Sequence, residues 1–296
     1  MASFILSAFA DEADSNFSGQ ITALQANGIR QIEVRGVNGK SVADLTDGEA
    51  RDVKRALDDA GIGISAMGSP FGKYPITEPF GPHLDAFKRG LDLCEMIGAG
   101  RMRVFSFYMP EGGDPAAYRD DVFERLNRML DLALYAGIRP AHENERGIYG
   151  DTPERCVDLM DNFGGSMGFV FDPANFIVCG ARVKAAYSML ARWVEYIHVK
   201  DALAADGAIV PSGMGDGDIP WLIEQLSGRE GEMTLTIEPH LRVFSGLDAL
   251  QSGELTYAYS YPDNLSAFGA AANALKSVLA SLGYGETEGG SGIWAR

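Results

Sequence analysis

The feature that most restricts this chain is a regular alternation of two kinds of segment. Short apolar runs rich in strand-forming residues occur at 4–8, 31–34, 63–67, 102–105, 139–142, 167–171, 194–199 and 233–237. Between and after them lie stretches with helical spacing, at 17–27, 47–60, 82–97, 118–133, 152–162, 183–191, 220–226 and 265–282. In one of these, Tyr118, Val122, Leu126, Met129, Leu130 and Ala133 fall on a single face at intervals of three and four. Gly28, Gly61, Gly98 and Gly137 follow helical segments, where a left-handed cap is needed before the next strand. Thr152-Pro153 opens another segment with a capping hydroxyl and a first-turn proline. Strands that alternate with helices must pair in parallel, and eight such units predict an α/β fold, a single (β/α)8 TIM barrel spanning residues 1–282. An open doubly wound sheet is the competing arrangement. It calls for a glycine-rich turn after the first strand, and Ala10-Asp11-Glu12 stands there instead.

Composition narrows the ligand. The chain has 296 residues and a formal charge of −16, from 25 Lys+Arg against 41 Asp+Glu, with 46% apolar residues. That suffices for one large core and excludes a disordered chain. The negative charge repels nucleic acid and anionic membrane surfaces, which leaves a small neutral molecule or a cation as the expected partner. Three cysteines without paired spacing argue against a disulfide framework, so the expected location is cytoplasmic. The apolar opening runs straight into Asp11 and Glu12, which reads as a first strand and not as a signal segment. Two stretches exceed a minimal barrel. Residues 241–264 form a long aromatic-bearing loop after strand eight, expected to set specificity. Residues 283–296 form a glycine-rich tail ending near Trp294, expected as a loose end or as an arm on a neighbouring subunit. A homo-oligomer is expected, with a different partner subunit left open.

Barrel active sites are built at the C-terminal ends of the strands. The last four strands there deliver His142-Glu143-Asn144, Asp172-Pro173-Ala174-Asn175, His198-Val199-Lys200 and Glu238-Pro239-His240. With neighbouring strands about 4.8 Å apart, Glu143, Asp172, His198 and Glu238 converge on one side of the mouth. Three carboxylates and one imidazole suit one divalent ion, Mn²⁺ before Mg²⁺ or Co²⁺. Any one of these acids alone would read as a helix cap or an ion-pair partner; four in succession read as a metal site. Glu143 and Glu238 flank the expected ion and are the acid/base candidates. His142, Asn175, Lys200 and His240, beside the ligands, and Arg35, Lys73 and Tyr108, after strands two, three and four, are the candidate substrate contacts. The stretch 211–218 is glycine-rich but lacks the lysine and hydroxyl of a phosphate loop, and reads as a flexible connection with Asp218 as a helix cap.

The order Glu143, Asp172, His198, Glu238, with His-Glu-Asn, Phe-Asp-Pro-Ala-Asn-Phe, His-Val-Lys-Asp and Glu-Pro-His around them, resembles the xylose isomerase-like TIM barrels, known as sugar phosphate isomerases/epimerases. The resemblance covers roughly residues 1–282 and is nearest to the branch acting on keto-sugars and 3-keto-glycosides. It implies that the four side chains hold one divalent ion and that the two glutamates double as proton carriers. The chain departs from the ketose 3-epimerases at Asn175, where they carry a histidine; an amide can bond a hydroxyl but cannot carry a proton. The implied function is a metal-dependent epimerase or isomerase that abstracts a proton through a metal-stabilised enediolate. Two alternatives stay open: a 3-keto-glycoside lyase using the same site, and a non-catalytic metal- or sugar-binding subunit. Lack of a basic phosphate pocket favours a non-phosphorylated sugar.

Overall fold

The computed structural model describes residues 2–244, 258–287 and 292–296. Eight parallel strands, β1 (Ser3–Ala8), β2 (Gln31–Val34), β3 (Gly63–Met67), β4 (Arg101–Val104), β5 (Arg139–Glu143), β6 (Gly168–Phe171), β7 (Val194–Val199) and β8 (Glu232–Ile237), form the wall of the barrel. Each parallel neighbour is reached through a helix, because a parallel pair needs a crossover connection. The helices are α1 (Phe17–Ala26), α2 (Asp47–Ala60), α3 (Phe80–Ile97), α4 (Arg119–Tyr135), α5 (Pro153–Phe163), α6 (Pro173–Val178), α7 (Val183–Leu190), α8 (Ile219–Ser227) and α9 (Asn264–Ser281). Thr46 and Glu49 close a reciprocal capping box at the start of α2, and Thr152 accepts from the Arg155 N–H at the start of α5. Gly61 and Gly98 end α2 and α3 at φ +64° and +81°, as the spacing predicts. Short α6 is the one helix the periodicity does not announce, since six residues span less than two turns.

Ladder bonds run without interruption from β1 through β8, β7, β6, β5, β4 and β3 to β2. Between β1 and β2 the two strands lie side by side without a ladder. The free edge of β1 is taken by the tail. Gly285–Glu286 (β9) pairs with Ile293–Ala295 (β10), and β10 runs antiparallel to β1 with Trp294 opposite Phe4. Gly292 lies against Arg30, the residue before β2, so the tail fills the seam at the bottom of the barrel. The expected loose end or intersubunit arm is therefore bound to its own barrel. The reason is its two aromatic anchors: Tyr284 and Trp294 are buried, and Tyr284 meets Phe4 edge-on at 5.0 Å. Of the long loop expected at 241–264, residues 245–257 lie outside the described residues.

One layer of the barrel interior is packed by Ala66, Ala141, Val170 and Tyr196, while the apolar faces of helices and strands share a larger outer core. Above that inner layer the lumen turns polar. Among the described residues no helix is long and apolar enough to cross a membrane.

Candidate metal centre

Strand alternation decides which side chains reach the lumen. On β7, Tyr196, His198 and Lys200 share the inward face; on β5, Glu143 points inward and His142 outward. Asp172 follows β6 and Glu238 follows β8. One ligand atom from each of Glu143, Asp172, His198 and Glu238 lies within 4.8 Å of the others, and all four side chains are buried.

Each residue is held by its own surroundings. Asp172 caps α6, accepting from the Asn175 N–H at 2.8 Å through Oδ1, while Pro173 fills the first turn. Its backbone is clamped by Asn144, which donates to the Asp172 carbonyl at 2.8 Å and accepts from its N–H at 3.0 Å. The sequence alternatives of helix cap and ligand are thus compatible, because the cap uses Oδ1 and leaves Oδ2. His198 Nδ1 lies 3.0 Å from Glu143 Oε1 and 3.5 Å from Glu238 Oε2. Arg103 NH1 lies 3.2 Å from Glu143 Oε2, and Lys200 Nζ lies 2.8 Å from Asp172 Oδ2.

Glu143 Oε2, Asp172 Oδ2 and His198 Nδ1 are nevertheless buried without a hydrogen bond. Ion pairs reach two of these atoms, but none of the three has an aligned hydrogen bond; such buried atoms cost free energy, and a cation between them would offset that cost. The donor set of three carboxylates and an imidazole fits a hard or borderline divalent ion. Electrostatics agree. Burial alone would raise the Glu143 carboxyl, but His198 and Arg103 outweigh it and hold it at about 2. Burial, opposed by Lys200 and reinforced by Glu238 and Glu143, pushes Asp172 up to about 7. Glu238 is held well below its ordinary range, because Lys200, His240, His198 and Arg35 overcome its burial.

A small polar cavity of about 20 Å³ opens beside Glu143 and Glu238. Its walls are Arg35, Lys73, Arg103 and Lys200 with Glu143, Glu145, Glu238, Asn175 and His240. Of the expected substrate contacts, Asn175, Lys200, His240, Arg35 and Lys73 line it. His142 does not: it faces outward, bonded to Ser106 Oγ at 2.9 Å and packed on Phe169, and burial holds it neutral down to about 3. Tyr108 stands beside the cavity without lining it, its backbone bridged to Pro75 and Ile148. Asn175 Nδ2 donates to the Asn144 carbonyl at 2.9 Å and to Glu143 Oε1 at 3.3 Å. Lys73 pairs with Glu145 at 2.7 Å.

Four participants carry no motif in the sequence. Arg103 and Glu33 are charged residues inside apolar strands; Asp11 and Glu12 follow β1 in a short 3-10 turn. A charged residue on the inward face of a barrel strand was the available signal. Arg35 joins these groups, donating to Asp11, Glu12 and Glu238 at 2.9–3.1 Å. The glycine-rich stretch 211–218 wraps an anion of its own: Asp201 accepts from the N–H groups of Gly213, Gly215 and Gly217 at 2.8–3.0 Å. Asp218 starts α8 at φ +49° without a side-chain cap bond, so its expected capping role is absent.

Comparison with known proteins places this geometry. No curated protein sequence matches the chain. Solved structures share its fold at low identity. The IOLI protein with a binding zinc atom has a TM-score of 0.72 at 14% identity, over 94% of this chain and 98% of that one. D-psicose 3-epimerase, solved in the presence of D-fructose, has 0.70 at 16%, over 94% and 99%. A xylose isomerase-like TIM barrel protein from Mycobacterium smegmatis in complex with magnesium has 0.65 at 18%, over 95% and 97%. Residues 21–253 match the family described as xylose isomerase-like TIM barrel, and the chain belongs to that family.

Proposed function

We propose that this protein is a divalent-metal-dependent epimerase or isomerase of a neutral keto-sugar or 3-keto-glycoside. The observation that carries the reading is the buried Glu143, Asp172, His198, Glu238 cluster, with three of its ligand atoms lacking an aligned hydrogen bond beside a polar cavity. The epimerases among the structural neighbours, including L-ribulose 3-epimerase and D-psicose 3-epimerase, support the substrate class.

A divalent ion held there supplies Lewis-acid withdrawal of charge from a carbonyl oxygen and its neighbouring hydroxyl, which makes the adjacent C–H acidic. Glu143, on β5, and Glu238, after β8, each approach His198 Nδ1, at 3.0 and 3.5 Å. One carboxylate takes the proton from carbon. Return from the other carboxylate to the opposite face inverts the centre; return to the neighbouring carbon isomerises the sugar. Lys200 and Arg103, beside these carboxylates, offset the negative charge that develops on the substrate oxygens. Asn175 and His240 are placed to bond sugar hydroxyls.

Charge argues for a neutral substrate. Around the site the buried carboxylates of Asp11, Glu12, Glu33, Glu143, Asp172 and Glu238 outnumber the buried cations Arg35, Arg103 and Lys200 by three. One divalent ion still leaves a negative surplus, against which a sugar phosphate would have to bind. Among ions, Mn²⁺ is the first choice.

The test is turnover by chelator-stripped, Mn²⁺-reloaded protein on free ketoses and 3-keto-glycosides in D₂O, followed by proton NMR. Deuterium at one sugar carbon with the skeleton intact is expected. Aglycone release with an unsaturated keto-sugar would replace this reading with the lyase, and no exchange on any substrate would remove it.

A further inference from the structure

Glu33 belongs to β2, far across the barrel from β7, yet its carboxylate is fully buried against His198. His198 Nε2 lies 3.1 Å from Glu33 Oε2, and the Tyr196 hydroxyl donates to Glu33 Oε1 at 3.2 Å. A carboxylate only accepts. Glu33 therefore requires a proton of His198 at Nε2, so in the singly protonated ring the lone pair falls on Nδ1, the atom that faces Glu143 and Glu238 without an aligned hydrogen bond. Phe9 and Tyr196 meet the ring edge-on at 5.0 and 5.5 Å and fix its plane.

We infer that Glu33 is a positioning residue for the metal centre: it sets the His198 tautomer and directs Nδ1 to the ion, with Tyr196 anchoring its other oxygen. Outer partners of this kind change metal affinity by about 10–100-fold. The inference rests on the metal-site reading above and adds to it a group that never touches substrate.

The test uses Zn²⁺, a diamagnetic probe, on the full chain. In Zn²⁺-loaded wild type, ¹⁵N NMR of the His198 ring should show metal on Nδ1 and hydrogen on Nε2. Glu33→Gln should weaken Zn²⁺ binding about 10–100-fold by chelator competition. Tyr196→Phe should weaken it a few-fold, and it carries the affinity test alone if the glutamine variant does not fold. Zn²⁺ on Nε2, or both variants within twofold of wild type, would overturn the inference. His198→Ala separates the two failures. If it loses Zn²⁺ while Glu33→Gln does not, only the role of Glu33 falls; if His198→Ala binds as wild type, the metal site itself falls.

Discussion

Two acidic clusters at the barrel mouth share one residue and differ in a single respect. Glu143, Asp172, His198 and Glu238 form the first; Glu12, Glu238 and His240 form the second, and in each the candidate ligand atoms lie within 4.8 Å. Glu238 divides itself between them, with Oε2 toward His198 and Lys200 and Oε1 toward Arg35 and His240. The second cluster already contains a cation. Arg35 is clamped there by both oxygens of Asp11, by Glu12 and by Glu238, and a planar guanidinium so held has nowhere to go. The first cluster has Arg103 beside Glu143 at 3.2 Å and Lys200 beside Asp172 and Glu238 at 2.8 and 3.4 Å, and neither cation bonds all of its acids. Three of its ligand atoms lack an aligned hydrogen bond. Acid count therefore does not distinguish the two clusters; what distinguishes them is a single guanidinium that bonds both acids of the second, with no such common cation in the first. His240 marks the same boundary. Its backbone is held at φ +44°, and its N–H donates to Glu12 Oε2 at 2.6 Å, which compensates a conformation that side chains other than glycine rarely adopt.

The largest expected effect tests the clusters against each other. Asp172→Ala or His198→Ala should reduce the metal content of purified protein to background by mass spectrometry, while Glu12→Gln should keep one ion per chain. Loss in all three would make the clusters one site. Next, Glu143→Gln and Glu238→Gln should each lower deuterium exchange into substrate by about 10³-fold, the scale of a positioned proton carrier. Retained exchange in both would end their acid/base assignment.

Arg35→Met breaks the second cluster. Removing one partner of a buried ion pair costs about 3–5 kcal/mol, so the melting temperature should fall steeply. Excess Mn²⁺ should restore part of it and raise the stoichiometry from one ion to two, because the acids then lack their guanidinium. An unchanged stoichiometry would show that geometry, and not charge, excludes the second ion.

The smallest effect is a slope. Burial disfavours the charged form of His198, but Glu143 and Glu33 outweigh it and raise its proton affinity to about 10. Metal binding must displace that proton, so affinity should rise with pH, by about tenfold per unit between pH 7 and 9. Below about 7 the raised Asp172 carboxyl adds a second displaced proton and steepens the slope. Glu12→Gln should leave the slope intact, since Arg35 does not titrate in this range.

Much of the molecule was legible beforehand. Apolar runs bounded by turn residues located all eight strands, because a barrel strand buried on both faces must be apolar and short. The four candidate ligands were legible because three follow such a run directly and His198 stands near the end of one, where a polar residue has no packing reason to be. The tail misled: its composition is that of a loose end, and nothing in its local pattern reveals that β1 has a free edge waiting for it. His142 misled too, because adjacency in sequence puts neighbours on opposite faces of a strand. Arg103, Glu33, Asp11 and Glu12 were passed over because their partners lie on other strands.

The sequence by itself determined the alternation of elements, hence the barrel, and with it the convergence of Glu143, Asp172, His198 and Glu238 at one end of it. These are local facts: periodicity, caps and the place of a residue relative to its strand. Only the tertiary structure decided how charge is balanced there. It put Arg35 between Asp11, Glu12 and Glu238, and Glu33 behind His198, across a lumen whose width no local pattern encodes. Pairing depends on distance through a low-dielectric interior, and that distance exists only once the barrel has closed.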